Sequence, residues 1–92
     1  MSKGVRKELT IINVKGLHAR ASAKFVDVVE RFDAHAQVEK DGMSVSGDSI
    51  MGLLMLTAPR GSCITVTTSG PEAAALAEAL EALVGDYFGE GM

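Results

Sequence analysis

The sequence is poor in cysteine, aromatic residues and excess positive charge. Its 92 residues include one cysteine and no tryptophan, and aromatic side chains make up 4%. A single cysteine, Cys63, excludes an intrachain disulfide and a cysteine-based metal cluster, and we expect it to be buried in a strand. A formal net charge of −3 with so few stacking rings argues against nucleic-acid binding.

Long apolar runs and targeting signals are missing too. No run approaches the roughly 18 apolar residues of a membrane span. The N-terminal sequence MSKGVRKELT has no apolar core of a signal peptide. Hydrophobic residues nevertheless make up 47% of the chain, which is enough for a folded core. We therefore expect one cytoplasmic domain over residues 1–92, with no membrane span, no metal and no cofactor.

Periodicity predicts the elements of the first half of the chain. Apolar and β-branched residues indicate a strand over residues 5–13, and a helical apolar period follows over residues 19–31. The apolar face of this helix is expected to contain Ala19, Ala23, Val26 and Val29 or Glu30, and Phe25, Val28 and Phe32 extend it on either side. Residues 34–40 alternate as a half-buried strand, and the following Asp41-Gly42 favours a tight hairpin into a returning strand.

The second half repeats this alternation of helix and strand. Asp48 or Ser49 can cap a short helix over residues 50–56, and residues 62–69 read as a strand. Pro71 marks the first turn of a third helix, capped by Ser69 or Gly70. Its expected apolar face consists of Ala73, Leu76, Leu80, Leu83, Val84 and Tyr87. From Gly85 onward we expect the chain to fray.

The resulting order is β-α-β-β-α-β-α, which predicts an α+β fold. The simplest packing is a four-stranded, mainly antiparallel sheet with three helices on one face. Many ferredoxin-like domains share most of this order, so it does not specify a function.

The segment NVKGLHARASAKFV, residues 13–26, carries the most informative pattern. His18 directly follows Gly16-Leu17 at the predicted start of the first helix, and Arg20 comes two residues later. The first N–H groups of a helix lack intrahelical partners and attract anions. A phosphoryl group on the His18 ring would reach the N–H groups of Ala19 and Arg20, and Gly16 allows close backbone approach. The alternative is an ordinary helix cap or a solvated histidine, and for Arg20 an exposed first-turn cation.

These residues resemble a known family. The run from Gly16 to Arg20, GLHAR, followed by ASAKFV, resembles the active-site signature of HPr, the histidine-containing phosphocarrier family of the bacterial phosphoenolpyruvate phosphotransferase system. A second run, GDSIMGL from Gly47 to Leu53, resembles the family's serine-site helix. The two motifs lie in the family's order, and the resemblance extends over nearly the whole chain. It implies the family's open-faced β-sandwich.

The resemblance also implies an activity and its residues. His18 would accept a phosphoryl group on Nδ1 from phosphorylated enzyme I and pass it to an EIIA-type protein, while Arg20 steadies it. Such a protein is a phosphoryl carrier and not a turnover enzyme, and we expect a monomer. Ser49 matches the serine modified by HPr kinase/phosphorylase in some bacteria, although it can equally be a plain helix cap.

Two further expectations concern partners. The helix over residues 50–56 has more apolar residues than one buried face can hold, so some must form an exposed patch for transient partners. By resemblance, the partner contacts are Ala23, Lys24, Ile50, Met51 and Leu54. Ala21 replaces a proline common in sugar-transport members, a pattern closer to the nitrogen-related branch and to HPr of some proteobacteria. The remaining alternative is a domain of similar fold that only binds regulatory partners, and we assign no role to residues 86–92.

Overall fold

The computed structural model describes residues 4–91. The strands are β1 (Val5–Thr10), β2 (His35–Lys40), β3 (Met43–Ser46) and β4 (Cys63–Ser69). The helices are α1 (Ala19–Glu30), α2 (Ile50–Met55) and α3 (Ala73–Gly85), followed by a 3₁₀ turn at Tyr87–Gly89. The predicted order is confirmed, with the 3₁₀ turn added. None of the helices within residues 4–91 has the length and apolar character needed to cross a membrane.

The four strands form one antiparallel sheet in the order β1-β4-β2-β3. Strand alternation places Val38 opposite Val66 on the inner face, where both are buried. The helices cover this face, and the other face is open. The predicted α+β fold, an open-faced β-sandwich, is therefore confirmed, and the sheet is antiparallel throughout the described residues.

The β2–β3 hairpin forms as its two-residue turn predicts. Asp41 and Gly42 have φ angles of 52° and 84°, both in the left-handed region. Positive φ at both central residues is the geometry of a type I′ turn, whose twist matches that of the paired strands. Asp and Gly tolerate this region best, which explains why this dipeptide was a reliable signal.

The α1 helix turns a different face to the core from the one that its alanines predicted. Ala19 and Ala23 are exposed, and the buried residues are Ala21, Ser22, Phe25, Val26 and Val29. The bulky side chain of Phe25 sets the orientation of the helix, because burying it removes far more apolar area from water than burying a methyl group does. Alanine is small enough for either the buried or the exposed face of a helix, so the positions of the alanines did not indicate which face packs on the core.

Several predicted boundaries and burials were wrong. Strand β1 ends at Thr10 and not at residue 13, and α3 begins at Ala73 and not at Pro71. The later start of α3 leaves Glu72 free to pair with the α1–β2 loop, where its N–H donates to Asp33 O at 3.0 Å. Cys63 is exposed, because Ile64 and Val66 occupy the inner face of β4 and neighbouring residues point outward.

Candidate functional site

The loop before α1 fixes where the first functional residue lies. Leu17 N–H donates to Ala58 O at 2.9 Å, which holds this loop against the segment after α2. Gly16 has φ +68°, and a Cβ there would lie 2.6 Å from Ala58 O and 2.9 Å from Pro59 Cα. Any larger residue would therefore push the two loops apart. Gly16 therefore makes the close approach expected of a glycine here, and it makes it to the backbone of Ala58 and Pro59.

His18 is the N-cap residue of α1, as its sequence position suggested. Its backbone is extended (φ −80°, ψ −177°), and its Nδ1 accepts a hydrogen bond from Arg20 N–H at 3.3 Å. The carbonyl of His18 accepts from Ser22 N–H at 2.8 Å, which closes the first turn. Nδ1 therefore lies at the helix N-terminus, and the imidazole as a whole is 26% exposed.

The other ring nitrogen contacts a residue that the sequence did not single out. His18 Nε2 forms a short hydrogen bond with Glu90 Oε2, from 72 residues further along the chain. The second carboxylate oxygen, Oε1, accepts from Asn13 Nδ2 at 2.9 Å, and the same Nδ2 donates to Gly16 O at 2.8 Å. Asn13, His18 and Glu90 thus form one connected network at the entry to α1.

The Glu90 carboxyl is only 13% exposed, yet it is held in its charged form. Burial opposes ionisation, but the hydrogen bonds from Asn13 and His18 and the charges of His18 and Lys15 outweigh it and lower the pKa of Glu90. At neutral pH the side chain is therefore a carboxylate that can only accept hydrogen bonds.

The segment after α3 is anchored and does not fray within the described residues. Phe88 is completely buried in the main core, whereas Tyr87 is exposed. Both have positive φ, at 57° and 53°, which is unfavourable for bulky residues and needs compensation from the surroundings. Lys24 Nζ donates to Phe88 O at 2.7 Å, which ties α1 to this segment. The expectation that Tyr87 continues the buried face of α3 was wrong.

A cleft with three cationic side chains lies beside Glu90, the hydrogen-bond partner of His18. It has a volume of about 420 Å³ and is lined by Val14, Lys15, Arg20, Lys24, Gly89 and Glu90. Arg20 is exposed at its edge, where a guanidinium can donate several hydrogen bonds to anionic oxygens. The structure thus brings Gly16, His18, Ala19 and Arg20 together around one end of α1, as the motif predicted.

The second motif forms the start of α2. Ser49 Oγ accepts from Gly52 N–H at 3.0 Å and caps the helix. Exposed apolar side chains follow, with Ile50, Met51 and Met55 exposed by 41%, 69% and 60%, while Leu53 is fully buried. The loop after α2, at Thr57, Ala58 and Pro59, lines a second shallow cleft together with His18. The chain thus passes from the exposed apolar side chains of α2 to a loop that shares a cleft with the histidine.

The predicted partner contacts divide between the two helices. Ala23 on α1 is exposed, and Lys24 is half-buried with its amine engaged by Phe88. Ile50 and Met51 on α2 are exposed, and Leu54 is half-buried. Helices α1 and α2 pack against each other, so these residues can share one surface. Among residues 4–91, no three His, Cys, Asp or Glu side chains cluster as metal ligands.

The chemistry available at this site is nucleophilic and anion-binding. Nδ1 of His18 receives an N–H donor, so it carries a lone pair, and its ring proton is on the side that faces Glu90. An imidazole nitrogen with a free lone pair can form a covalent bond to an electrophilic phosphorus. The backbone N–H groups and the dipole at the start of α1 favour an anion beside Nδ1, and Arg20 belongs to the same first turn.

Comparison with known proteins identifies the family of this chain. The family model described as "PTS HPr component phosphorylation site" matches residues 5–86. "Phosphocarrier protein HPr" of Cupriavidus necator is 42% identical over 87 residues, covering 95% of this chain and 98% of that protein. "Phosphocarrier protein HPr" of Neisseria meningitidis is 44% identical over the same length, with the same coverage.

A solved structure agrees in fold. The crystal structure of HPr-C-His from Thermoanaerobacter tengcongensis superposes with a TM-score of 0.87 at 36% identity, covering 98% of this chain and 99% of that chain. The family match spans most of the chain, and the relatives align with it nearly end to end. The resemblance to this family is therefore confirmed, and the chain belongs to the HPr phosphocarrier family of the phosphoenolpyruvate phosphotransferase system.

Proposed function

We propose that this protein carries a phosphoryl group on Nδ1 of His18, accepting it from phosphorylated enzyme I and passing it to an EIIA-type protein. The observation that carries the proposal is the opposite environment of the two ring nitrogens. Nδ1 faces the backbone N–H donors at the start of α1, while Nε2 is occupied by the Glu90 carboxylate. Membership of the phosphocarrier family supports the same reaction.

The site is suited to holding the phosphoryl group without trapping it. The dipole at the start of α1 favours an anion by about 0.3–1 kcal/mol, and the N–H groups of Ala19 and Arg20 supply hydrogen-bond donors. The Arg20 guanidinium can contact the same oxygens. These are modest stabilising terms. The phosphorus–nitrogen bond thus keeps the reactivity needed for onward transfer. In this proposal the protein is a phosphoryl carrier and not a turnover enzyme, and it works as a monomer in the cytoplasm.

The proposal is tested by incubating the protein with phosphoenolpyruvate and purified enzyme I and measuring the intact mass. We expect a single phosphoryl adduct that is lost in acid and retained in alkali, as for a phosphohistidine. A sugar-type or a nitrogen-type EIIA protein is then added, and we expect it to remove the phosphoryl group from His18. The EIIA protein that accepts the group faster shows whether this carrier serves sugar transport or nitrogen-related regulation. Absence of an adduct with enzyme I from several bacteria, on a folded protein, would favour the binding-module alternative.

We further propose that enzyme I and EIIA-type proteins dock on the surface formed by Ala23, Lys24, Ile50, Met51 and Leu54. Within residues 4–91, Met51 is the most exposed of the large apolar side chains, and α2 is followed by the loop that lines the cleft at His18. Exposed apolar side chains of this kind are enriched in protein interfaces.

Met51→Lys is therefore expected to lower kcat/KM for phosphoryl acceptance from enzyme I by about tenfold, since one good interface contact is worth about 1.4 kcal/mol. Stability should change little, because 69% of the Met51 side chain is already exposed. The matched control is Met43→Lys, since Met43 is an exposed methionine on β3, outside both helices. Equal rates for the two variants would contradict docking on α2.

A regulatory phosphorylation is proposed at Ser49. Its hydroxyl is at the N-terminus of α2, where backbone N–H groups tolerate a phosphate, and it precedes the docking residues Ile50 and Met51. HPr kinase/phosphorylase with ATP should place one acid-stable phosphate on the wild-type protein and none on Ser49→Ala. Ser49→Asp should slow acceptance from enzyme I. Full modification of Ser49→Ala would show that another residue is the target.

A further inference from the structure

We propose that Glu90 is a positioning residue for His18, whose carboxylate keeps the ring proton on Nε2 and thereby presents the lone pair of Nδ1. This inference deepens the proposed function and rests on it. Neither motif of the sequence includes Glu90, which comes from the segment after α3 and approaches the ring on the side opposite to the helix N-terminus.

Two independent contacts specify the same tautomer. A carboxylate can only accept hydrogen bonds, so Nε2 must donate to Glu90 Oε2. A backbone N–H can only donate, so Nδ1 must accept from Arg20 N–H. In a neutral imidazole one nitrogen carries the proton and the other the lone pair. The two partners therefore select the form in which Nδ1 is the nucleophile.

Asn13 determines which atoms donate and which accept hydrogen bonds in this network. Its Nδ2 donates both to Gly16 O and to Glu90 Oε1, and since both partners are acceptors, the amide cannot be turned the other way without losing them. A glutamine at position 90 would have to offer its carbonyl oxygen to Asn13. Its NH₂ group would then face Nε2 and donate to it, which favours the opposite tautomer, with the proton on Nδ1.

The carboxylate is held in place by the fold around it. Buried Phe88 and the bond from Lys24 Nζ to Phe88 O anchor the segment two residues earlier. Tyr87 and Phe88 both have positive φ angles, and two residues after Phe88 the chain reaches the N-terminus of α1, where Glu90 contacts His18. Three cationic side chains, Lys15, Arg20 and Lys24, line a cleft together with Glu90. They favour an ionised carboxylate at this position.

The carboxylate also assists the transfer itself. In the proposed step the Nδ1 lone pair forms a bond to phosphorus, while the bond from phosphorus to the donor group of enzyme I breaks and its electron pair returns to that group. Nε2 keeps its proton, so the His18 ring becomes positively charged as the phosphoryl group arrives. Glu90 is the group in contact with that proton and compensates this charge.

The tautomer is measured directly by long-range ¹H–¹⁵N NMR of protein labelled with ¹⁵N-histidine, at a pH well above the usual imidazole pKa of about 6.5. We expect the wild-type His18 ring to be protonated on Nε2, and the ring of Glu90→Gln to move toward protonation on Nδ1. Glu90→Ala, which removes the acceptor without supplying a donor, should fall between the two. The exposed ring of His35 is an internal control that should not change.

The same variants are then compared in phosphoryl acceptance from enzyme I. If fewer than about one tenth of the Glu90→Gln molecules keep the competent tautomer, its rate should fall about tenfold or more, with the adduct still on His18. An unchanged tautomer and rate in a folded Glu90→Gln would overturn the role of Glu90. Since the NMR measurement needs no phosphoryl donor, a wild-type protein that shows the expected tautomer but accepts no phosphate would refute the proposed function alone.

Discussion

Replacement of His18 by alanine is expected to abolish phosphoryl acceptance, with a loss as large as the assay can detect. The substitution removes the only atom at the start of α1 that is proposed to form the phosphorus–nitrogen bond. Neither Arg20 nor the backbone N–H groups can take over this role, because they are donors without a nucleophilic lone pair. The measurement is the intact mass after incubation with phosphoenolpyruvate and enzyme I.

The His18→Ala variant should still fold. The imidazole is a partly exposed cap outside the main core, so the cost is that of a cap and one hydrogen bond, together about 1–3 kcal/mol. His35→Ala is the matched control, since His35 is the other histidine and lies exposed at the start of β2. That variant should accept phosphate at the wild-type rate. An acid-labile adduct on folded His18→Ala would contradict the assignment.

Replacement of Phe88 by alanine is expected to lower the free energy of unfolding by about 3–5 kcal/mol, the usual cost of deleting a buried aromatic ring. Phe88 is fully buried within the same cluster as Phe25 and Leu80, and a cavity would remain in its place. The loss also removes the interactions that compensate the strained backbone at residues 87 and 88. Urea unfolding followed by circular dichroism measures the change.

Phe88→Ala should also impair the site, because the anchored segment carries Glu90 to His18. We expect phosphoryl acceptance to slow even under conditions where the variant remains folded, by an amount similar to that of Glu90→Ala. Tyr87→Ala is the control, because the neighbouring tyrosine has a similar backbone conformation but an exposed ring. It should change stability by less than about 1 kcal/mol. A similar loss of stability and of phosphoryl acceptance in both variants would show that burial of the Phe88 ring does not hold this segment in place.

Local pattern was sufficient to predict most of the fold. The strands and the hairpin follow from alternation and from the Asp41-Gly42 turn, which are properties of neighbouring residues. The position of His18 at a helix N-terminus likewise follows from the Gly16-Leu17 loop and the helical period after it. These features are encoded within a few residues of one another, and the structure places them where the sequence indicated.

The features that were missed depend on contacts between distant parts of the chain. Glu90 lies 72 residues from His18, and no periodicity indicates that a glutamate in a glycine-rich segment folds back onto α1. The expected fraying after Gly85 was wrong for the same reason, because burial of Phe88 stabilises that segment. The exposure of Cys63 and Ala23 shows that a small side chain alone does not reveal which face of its element is buried.

The measurement that tests the central claim most directly is ¹⁵N–³¹P NMR of the ¹⁵N-histidine-labelled protein after phosphorylation by enzyme I. The account predicts a ³¹P coupling to one nitrogen only, Nδ1 of His18, with Nε2 still bearing its proton and His35 unchanged. A phosphoryl group on Nε2, on His35 or on Ser49 would contradict it, because none of those positions combines a free lone pair with the donors at the start of α1.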